Sequence, residues 1–240
     1  MVAPFFFVKK KDGSLQPIQD HCFLNSVTVK NKYLHSLIDN LIQSIRGAQY
    51  FTKLDIRWGY NNVRMWDGDE WNAAFRMNWG LFEPLVMFFS LTNSPATFQT
   101  MMNDIFTELI RDGMVCVYMD NILIFSQSRD ELQQVTQRVL DILRCHKLYL
   151  KVEKCEFEHE QIEYLGLIIS HNRVAMDPGK VAAIVEWPQP CNWKEVQSFL
   201  GFTNFYHHFV EGFSSVAHPL FDLTKKDAPF IWTADCEAAF

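Results

Sequence analysis

The sequence predicts an α+β protein whose C-terminal part is helical, and three patterns support that prediction. Short runs rich in Val, Ile, Tyr and Phe alternate with amphipathic segments up to about residue 172. Two such runs, Val115–Met119 and Ile122–Phe125, are joined by Asp120-Asn121, a pair of residue types that favours a tight turn and so a β-hairpin. Beyond residue 172 the apolar residues follow helical spacing. Strand, helix and hairpin in this order fit a split βαβ antiparallel sheet with helices on one face.

The N-terminal third is predicted to contain strands and one helix. "PFFFVKKKDGSLQPI" is typical of strand, turn and strand, with Asp12-Gly13 as the turn. "KYLHSLIDNLIQSI" has apolar residues at helical spacing. "AQYFTKLDI" predicts a strand that ends on Asp55, and "AAFRM" and "EPLVMFF" are two further strand candidates.

The remaining elements follow from caps and periodicity. "NSPATFQTMMNDIFTELI" predicts a helix with Asn93 or Ser94 as its cap and Pro95 in its first turn. "RDELQQVTQRVLDILRCH" is an amphipathic helix, and "KCEFE" and "IEYLGLIIS" are short strands. "DPGKVAAIVEW", "NWKEVQSFLGFTNFYHHFV" and "SVAHPLFDL" predict three helices separated by Pro and Gly.

Composition limits the possible classes of protein. The 240 residues include 48% hydrophobic side chains and 21 Phe, which is enough for a substantial packed core. No apolar run approaches the ~20 residues that cross a bilayer, so no membrane partner is expected. Six cysteines without paired spacing indicate free thiols and an intracellular location, in the cytoplasm or the nucleus. The net charge of −6 disfavours a surface devoted to nucleic acid but permits a local basic channel.

Two acids at strand ends are the candidate catalytic residues. Asp55 ends one predicted strand and Asp120 lies in the predicted hairpin turn, so neighbouring strands would bring both carboxylates to one sheet edge. Paired carboxylates can hold two divalent metals about 4 Å apart and catalyse phosphoryl transfer, and Mg²⁺ suits such a site. Taken alone, strand-end acids are more often exposed turn residues.

Six motifs that follow one another along the chain favour the catalytic interpretation of these acids: "KKKDGSL", "TKLDIRWGYNNV", "LTNSPATFQTMMN", "VYMDNILIFS", "LYLKVEKCEF" and "YLGLIIS". Together they closely resemble the reverse transcriptase of gypsy-type LTR retrotransposons, along essentially the whole chain. The resemblance implies a right-hand polymerase fold, with partial fingers and the palm in residues 1–172 and a helical thumb in 173–225. Residues 226–240 would begin a connection to RNase H, with the family's N-terminal fingers segment missing.

The resemblance also implies roles for individual residues. Asp55 and Asp120 would bind two Mg²⁺ (or Mn²⁺) ions, with Asn121 beside them as a catalytic position. The nucleotide, a deoxynucleoside triphosphate, would be bound by the following set: Lys10, Gln16, Tyr60, Phe89 and Lys154. Tyr60 would lie under the sugar and reject a 2′-hydroxyl. An RNA or DNA template with its primer would be bound by a second set: Ser94, Pro95, Tyr164, Leu165 and Gly166.

This sequence departs from the family at several functional positions: Asn121 replaces an aspartate, Gln16 and Cys22 replace arginines, His21 replaces an aromatic residue and Ser90 replaces a glycine. Gln16 keeps a hydrogen-bond donor but loses the charge and the bidentate fork. We therefore expect an RNA-directed DNA polymerase of weak or lost activity. The alternatives are a nucleic-acid-binding or scaffold module that keeps the fold without the chemistry, and a remnant reading frame without a selected role.

Overall fold

The structure is a computed structural model of the chain, and it describes residues 2–9, 13, 15–33, 43–226 and 228–240. The chain forms two compact units, Met1–Ile162 with Ser170–Asn172 and Glu163–Ile169 with Arg173–Phe240. Within the described ranges, no helix has the length and apolarity needed to cross a membrane.

The described residues of the two units form strands and helices, numbered in chain order. The strands are β1 Ala3–Lys9, β2 Leu15–Gln19, β3 Tyr50–Asp55, β4 Phe75–Met77, β5 Gly80–Phe82, β6 Val115–Tyr118, β7 Asn121–Ser126, β8 Glu156–His159, β9 Gln161–Tyr164, β10 Leu167–Ser170 and β11 Arg173–Met176. The helices are α1 Cys22–Val27, α2 Ser94–Ile105, α3 Thr107–Arg111, α4 Arg129–Cys145, α5 Pro178–Val185, α6 Trp193–Asn204, α7 Phe213–Val216, α8 His218–Asp222 and α9 Ala234–Ala239.

The central sheet of the first unit has the order β6-β7-β3-β8, and each neighbouring pair is antiparallel. Helices α2 and α3 connect β3 to β6, and α4 connects β7 to β8. Two interleaved βαβ units of this kind are a split βαβ sheet. The predicted α+β fold class is therefore confirmed.

Both helical connections pack on the same face of this sheet. Alternate strand residues such as Leu54, Val117 and Ile122 share one buried cluster with Phe98 of α2 and Val139 of α4. Because side chains alternate between the two faces of a strand, residues two apart point to one face. The core thus lies between the sheet and its helices, and the strand ends remain at the edge of the layer.

A second sheet in the same unit has the order β2-β1-β4-β5. The antiparallel pairing of β1 with β2 confirms the two predicted strands, with Lys9 opposite Leu15. The predicted turn at Asp12-Gly13 falls largely outside the described residues. Strand β1 also pairs in parallel with β4. The predicted helix "KYLHSLIDNLIQSI" falls largely in 34–42, outside the described residues.

Two predicted elements of the first unit were wrong in detail. "EPLVMFF" is not a strand, because Pro84 has no N–H to donate and the segment forms only an isolated bridge between Arg64 and Val86. The helix predicted from Ser94 onward ends at Ile105 and restarts at Thr107. The Thr107 hydroxyl donates to two carbonyls of the preceding turn, a contact that commonly bends helices.

The second unit contains helices, as predicted, and a small sheet of order β11-β10-β9. Strand β11 was not predicted. The third predicted helix is divided into α7 and α8, because Pro219 cannot donate a backbone hydrogen bond within a continuous helix. Buried side chains of α6 and α8, among them Phe199, Leu200 and Leu220, form the core of this unit.

Candidate active site

The candidate site lies where β3 and the hairpin of β6 and β7 end. Asp55, 8% exposed, is the last residue of β3 and is paired in register with Asn121. The backbone N–H of Ile56 donates to the carbonyl of Asp120 at 2.8 Å. These contacts hold Asp55, Asp120 and Asn121 together at one edge of the sheet.

The hairpin turn differs by one residue from the prediction. Tyr118 pairs with Asn121, so the two turn residues are Met119 and Asp120, and Asn121 begins strand β7. Met119 takes a positive φ of 54°, a conformation that is uncommon for a residue with a side chain. The turn therefore presents Asp120 at its tip and places Asn121 directly opposite Asp55.

Gln99 of α2 holds this turn from within the core. Its side chain is fully buried; Oε1 accepts from the Met119 N–H at 2.7 Å, and Nε2 donates to the Val117 carbonyl at 3.0 Å. The amide thus satisfies two backbone groups beside Asp120. The sequence analysis missed this residue, and a polar residue on the buried face of a predicted helix was the available signal.

The surroundings of Asp120 shift the pKa of its carboxyl group. Burial raises the pKa of its carboxyl, a backbone hydrogen bond opposes that shift, and the charge of Asp55 raises the pKa further. The Asn121 side-chain N–H donates to Asp120 Oδ1 at 3.2 Å.

Two lysines neutralise Asp55. Lys151 Nζ lies 3.2 Å from its Oδ1, and Lys154 Nζ lies 3.8 Å from its Oδ2. Lys154 was predicted at the site, whereas Lys151 was not singled out. Their spacing of three residues after the strand-forming "LYL" was the only sequence signal for the pair.

The oxygen donors of this site fit a divalent ion. Asp55 Oδ1 is buried, and among the described residues it has the Lys151 ammonium at 3.2 Å but no donor in hydrogen-bonding geometry. Carboxylate oxygens are the ligands that Mg²⁺ prefers. Within the same described ranges there is no group of three or more His, Cys, Asp or Glu side chains that could hold a metal. Asn121 supplies a neutral amide where a third carboxylate would complete such a group.

The predicted pocket aromatics lie beside these acids. The rings of Tyr60 and Phe89 meet edge to face at 4.9 Å, and Tyr60 also packs on the buried Phe98. Burial raises the pKa of Tyr60, with a smaller contribution from the charge of Asp120. Phe89 is 63% exposed, so one large ring of this aromatic pair is available to a ligand.

Other predicted nucleotide contacts lie elsewhere or are not described. Lys10 falls outside the described residues. Gln16 lies in β2, opposite Val8 in the second sheet, and no described contact links it to Asp55 or Asp120. Cys22 begins α1 and its N–H donates to Asp20.

The predicted template residues Ser94 and Pro95 begin α2. Ser94 is 1% exposed and its hydroxyl donates to the Phe88 carbonyl at 2.8 Å. The side chain therefore fixes the loop that carries Phe89. Asn93 does not cap the helix with its side chain, which binds the backbone of Val29 and Asn31 instead.

The predicted primer residues lie in the second unit. Leu165 and Gly166 form a two-residue turn between β9 and β10, with φ values of 52° and 76°. Two successive positive φ values are typical of the type I′ turn that suits a hairpin. A Cβ on Gly166 would approach the Tyr206 hydroxyl to 2.8 Å, so this position requires glycine. Tyr164 is 1% exposed and anchors the turn.

Comparison with known proteins agrees with this architecture. Foamy viral protease-reverse transcriptase bound to double-stranded DNA has a TM-score of 0.87, with 22% identity over 100% of this chain and 42% of that one. The same viral protein bound to an RNA/DNA hybrid has a TM-score of 0.79, with 21% identity over 100% of this chain and 32% of that one. The fold is thus that of a polymerase palm with its neighbouring segments.

The sequence comparisons define the family. Residues 8–169 match the family described as reverse transcriptase (RNA-dependent DNA polymerase). The transposon Tf2-7 and Tf2-3 polyproteins of Schizosaccharomyces pombe are each 38% identical over 231 residues, which is 96% of this chain and 17% of theirs. The chain belongs to the reverse transcriptase family, which confirms the resemblance to gypsy-type retrotransposons. It spans about a sixth of the length of these transposon polyproteins.

Proposed function

We propose that this chain is the polymerase portion of a retrotransposon reverse transcriptase, which joins deoxynucleotides to a primer on an RNA or DNA template. The observation that carries the proposal is geometric: Asp55 pairs with Asn121, and the next residue, Ile56, donates its N–H to the Asp120 carbonyl, so both acids lie at one edge of the sheet. Residues 1–172 would form partial fingers and the palm, 173–225 the thumb and 226–240 the start of a connection. Its free cysteines suit a site of action inside the cell.

The site supports nucleotidyl transfer through charge and position. Asp55 and Asp120 would hold two Mg²⁺ or Mn²⁺ ions, which when bound offset the negative charge of the primer hydroxyl and the triphosphate. Tyr60 and Phe89 would contact the sugar and base, and Lys154 would attract the leaving pyrophosphate. The Leu165-Gly166 turn would support the primer. Lys10 and Gln16 are proposed triphosphate contacts on the strength of the family resemblance alone.

Asn121 is proposed to weaken this activity. It occupies the strand position opposite Asp55 and donates a hydrogen bond to Asp120. An aspartate there would add a negative charge that helps to bind the ions. Losing one preorganised electrostatic group of this kind costs roughly 10²–10³ in rate. Gln16 and Cys22 would add a separate loss at the triphosphate.

Primer extension with Mg²⁺ and with Mn²⁺ tests the proposal. We expect weak or undetectable extension by the chain, a gain of roughly 10²-fold for Asn121→Asp, and a further gain when Gln16→Arg is added. Asn121→Asp combined with Asp55→Asn is the matched control and should be inactive. Robust extension by the unchanged chain would contradict the role given to Asn121, and inactivity of every folded variant would contradict the polymerase function.

A nucleic-acid-binding module without catalysis is the second candidate. The observation that favours it is the lack, within the described ranges, of a third acidic side chain at the site. Binding of a primer–template duplex by all variants without extension by any would support it. Because phosphate contacts release counterions, such binding should weaken steeply as salt increases.

A further inference from the structure

Lys151 is closer to the Asp55 carboxylate than Lys154 is. Its Nζ lies 3.2 Å from Oδ1, compared with 3.8 Å between Lys154 Nζ and Oδ2. The Lys151 side chain is 30% exposed and that of Lys154 is 60% exposed. Because solvent screens exposed charges more strongly, Lys151 is the more effective partner of this carboxylate.

The backbone of Lys151 is fixed beside the same acid. Its N–H donates to the carbonyl of Asp55 at 2.9 Å, and Leu150 forms a bridge with Ile56. Only the side chain of Lys151 can therefore move away while the strand stays paired. In the structure its ammonium group lies against the Asp55 carboxylate.

The contact between Lys151 and Asp55 depends on charge more than on a well-aligned hydrogen bond. Asp55 Oδ1 is buried and has no donor in hydrogen-bonding geometry among the described residues, although Lys151 is 3.2 Å away. A buried carboxylate without a cation is costly. Lys151 thus stabilises the Asp55 carboxylate by its charge. A divalent cation, which carries a larger charge, can replace it.

We propose that Lys151 is an internal counter-ion that competes with the divalent ion for Asp55 and so sets the metal affinity of the site. The proposal rests on the proposed function, since it takes Asp55 to be a metal ligand. The ammonium and a divalent ion cannot both occupy the region around Oδ1, and their charges repel. Lys151 has to swing away for the metal to bind, and it is a positioning residue for Asp55.

The direction in which metal affinity changes when Lys151 is replaced distinguishes a competing counter-ion from a lysine that helps to bind the metal complex. A lysine that helped to bind the metal complex through a phosphate would weaken binding when removed. Removing a competing counter-ion would instead strengthen metal binding. A unit charge about 5 Å from a divalent ion in water-like surroundings changes the affinity on the order of tenfold.

Manganese binding provides the test, because the electron paramagnetic resonance signal of free Mn²⁺ reports binding without any catalysis. We expect Lys151→Met to bind Mn²⁺ about tenfold more tightly than the unchanged chain. Lys151→Arg keeps the charge and should stay close to the unchanged chain. Lys30→Met removes an exposed lysine of the same unit and is the matched control for net charge.

Thermal unfolding gives a second measurement. Without metal, Lys151→Met should melt at a lower temperature than the unchanged chain, because Asp55 loses its nearest cation. Saturating Mn²⁺ should raise its melting temperature by more than it raises that of the unchanged chain. Folding of each variant is checked by circular dichroism, and Lys151→Gln replaces Lys151→Met where the latter does not fold.

The outcomes are distinct. Equal or weaker Mn²⁺ binding by folded Lys151→Met and Lys151→Gln, with binding by the unchanged chain intact, would overturn the counter-ion role and leave the metal site standing. No Mn²⁺ binding by any variant, including Asn121→Asp, would overturn both this inference and the proposed two-metal function.

Discussion

Replacing Gln99 by methionine is expected to destabilise the hairpin that carries Asp120. Methionine has nearly the same length as glutamine but cannot accept from the Met119 N–H or donate to the Val117 carbonyl. The Met119 N–H and the Val117 carbonyl lie beside the fully buried Gln99 side chain, so water does not easily replace the lost hydrogen-bond partner.

The size of the effect follows from those two contacts. Each buried backbone group left without a partner costs about 1–3 kcal/mol, so the expected loss of unfolding free energy for the two groups is about 2–6 kcal/mol. For a chain of this length each kcal/mol lowers the melting temperature by about 2–4 °C, so it should fall by about 4–24 °C. Met119 also loses the bond that holds its positive φ, so Asp120 should lose its fixed position and any polymerase or metal-binding activity should fall with stability.

Thermal unfolding followed by circular dichroism and calorimetry is the measurement. Gln133→Met is the matched control, since Gln133 lies on the exposed side of α4 and donates only to Glu158 at the surface. That change should alter the unfolding free energy by less than about 0.5 kcal/mol. If Gln99→Met and Gln133→Met unfold at the same temperature, the assignment of Gln99 as the support of the turn is wrong.

Three further outcomes are expected. Gly166→Ala should destabilise the second unit and weaken primer–template binding in a filter or anisotropy assay. Adding Tyr206→Phe should restore part of the loss, because it removes the hydroxyl that a Cβ would approach to 2.8 Å. If nothing is restored, backbone strain alone is responsible. Burial raises the pKa of Asp120 above its ordinary value, so in EDTA its contribution to stability should fall as pH rises through that raised pKa; Asp120→Asn should lack this fall, and identical pH profiles would contradict it. Burial lowers the pKa of His21, so stability should fall as pH drops below about 6.5, the ordinary value for His; His21→Gln should flatten that part of the curve, whereas an unchanged slope would assign it to another group.

Much of the fold could be predicted from local patterns. The run of aromatic and apolar residues in β3, which is buried over most of its length, and the spacing of apolar residues in α4 are local patterns that each element shows on its own. The order of elements then limited the topology to the split βαβ sheet that the structure shows. Predictions went wrong where one residue decided the outcome, as at Pro84, which cannot donate to a strand, and at Thr107, whose hydroxyl bends a helix.

The two acids of the candidate site could be predicted from the sequence, but the contacts that position them could not. Asp55 and Asp120 stand at strand ends, a position that a sequence reveals. The register that places Asn121 opposite Asp55 depends on a turn at Met119-Asp120, and one residue of shift would reverse which side chains share a face.

The sequence by itself determined the family, the α+β class and the two acidic positions, because these follow from residue types in a fixed order along the chain. Only the tertiary structure decided that Gln99 holds the hairpin and that Lys151 is closer to Asp55 than Lys154 is. Gln99 is 20 residues from Met119, and Lys151 is 96 residues from Asp55 in the numbering of the chain. The physical reason is that hydrogen bonds and charge pairs act over a few ångströms. The packing of strands and helices decides which residues, distant along the chain, come within that range.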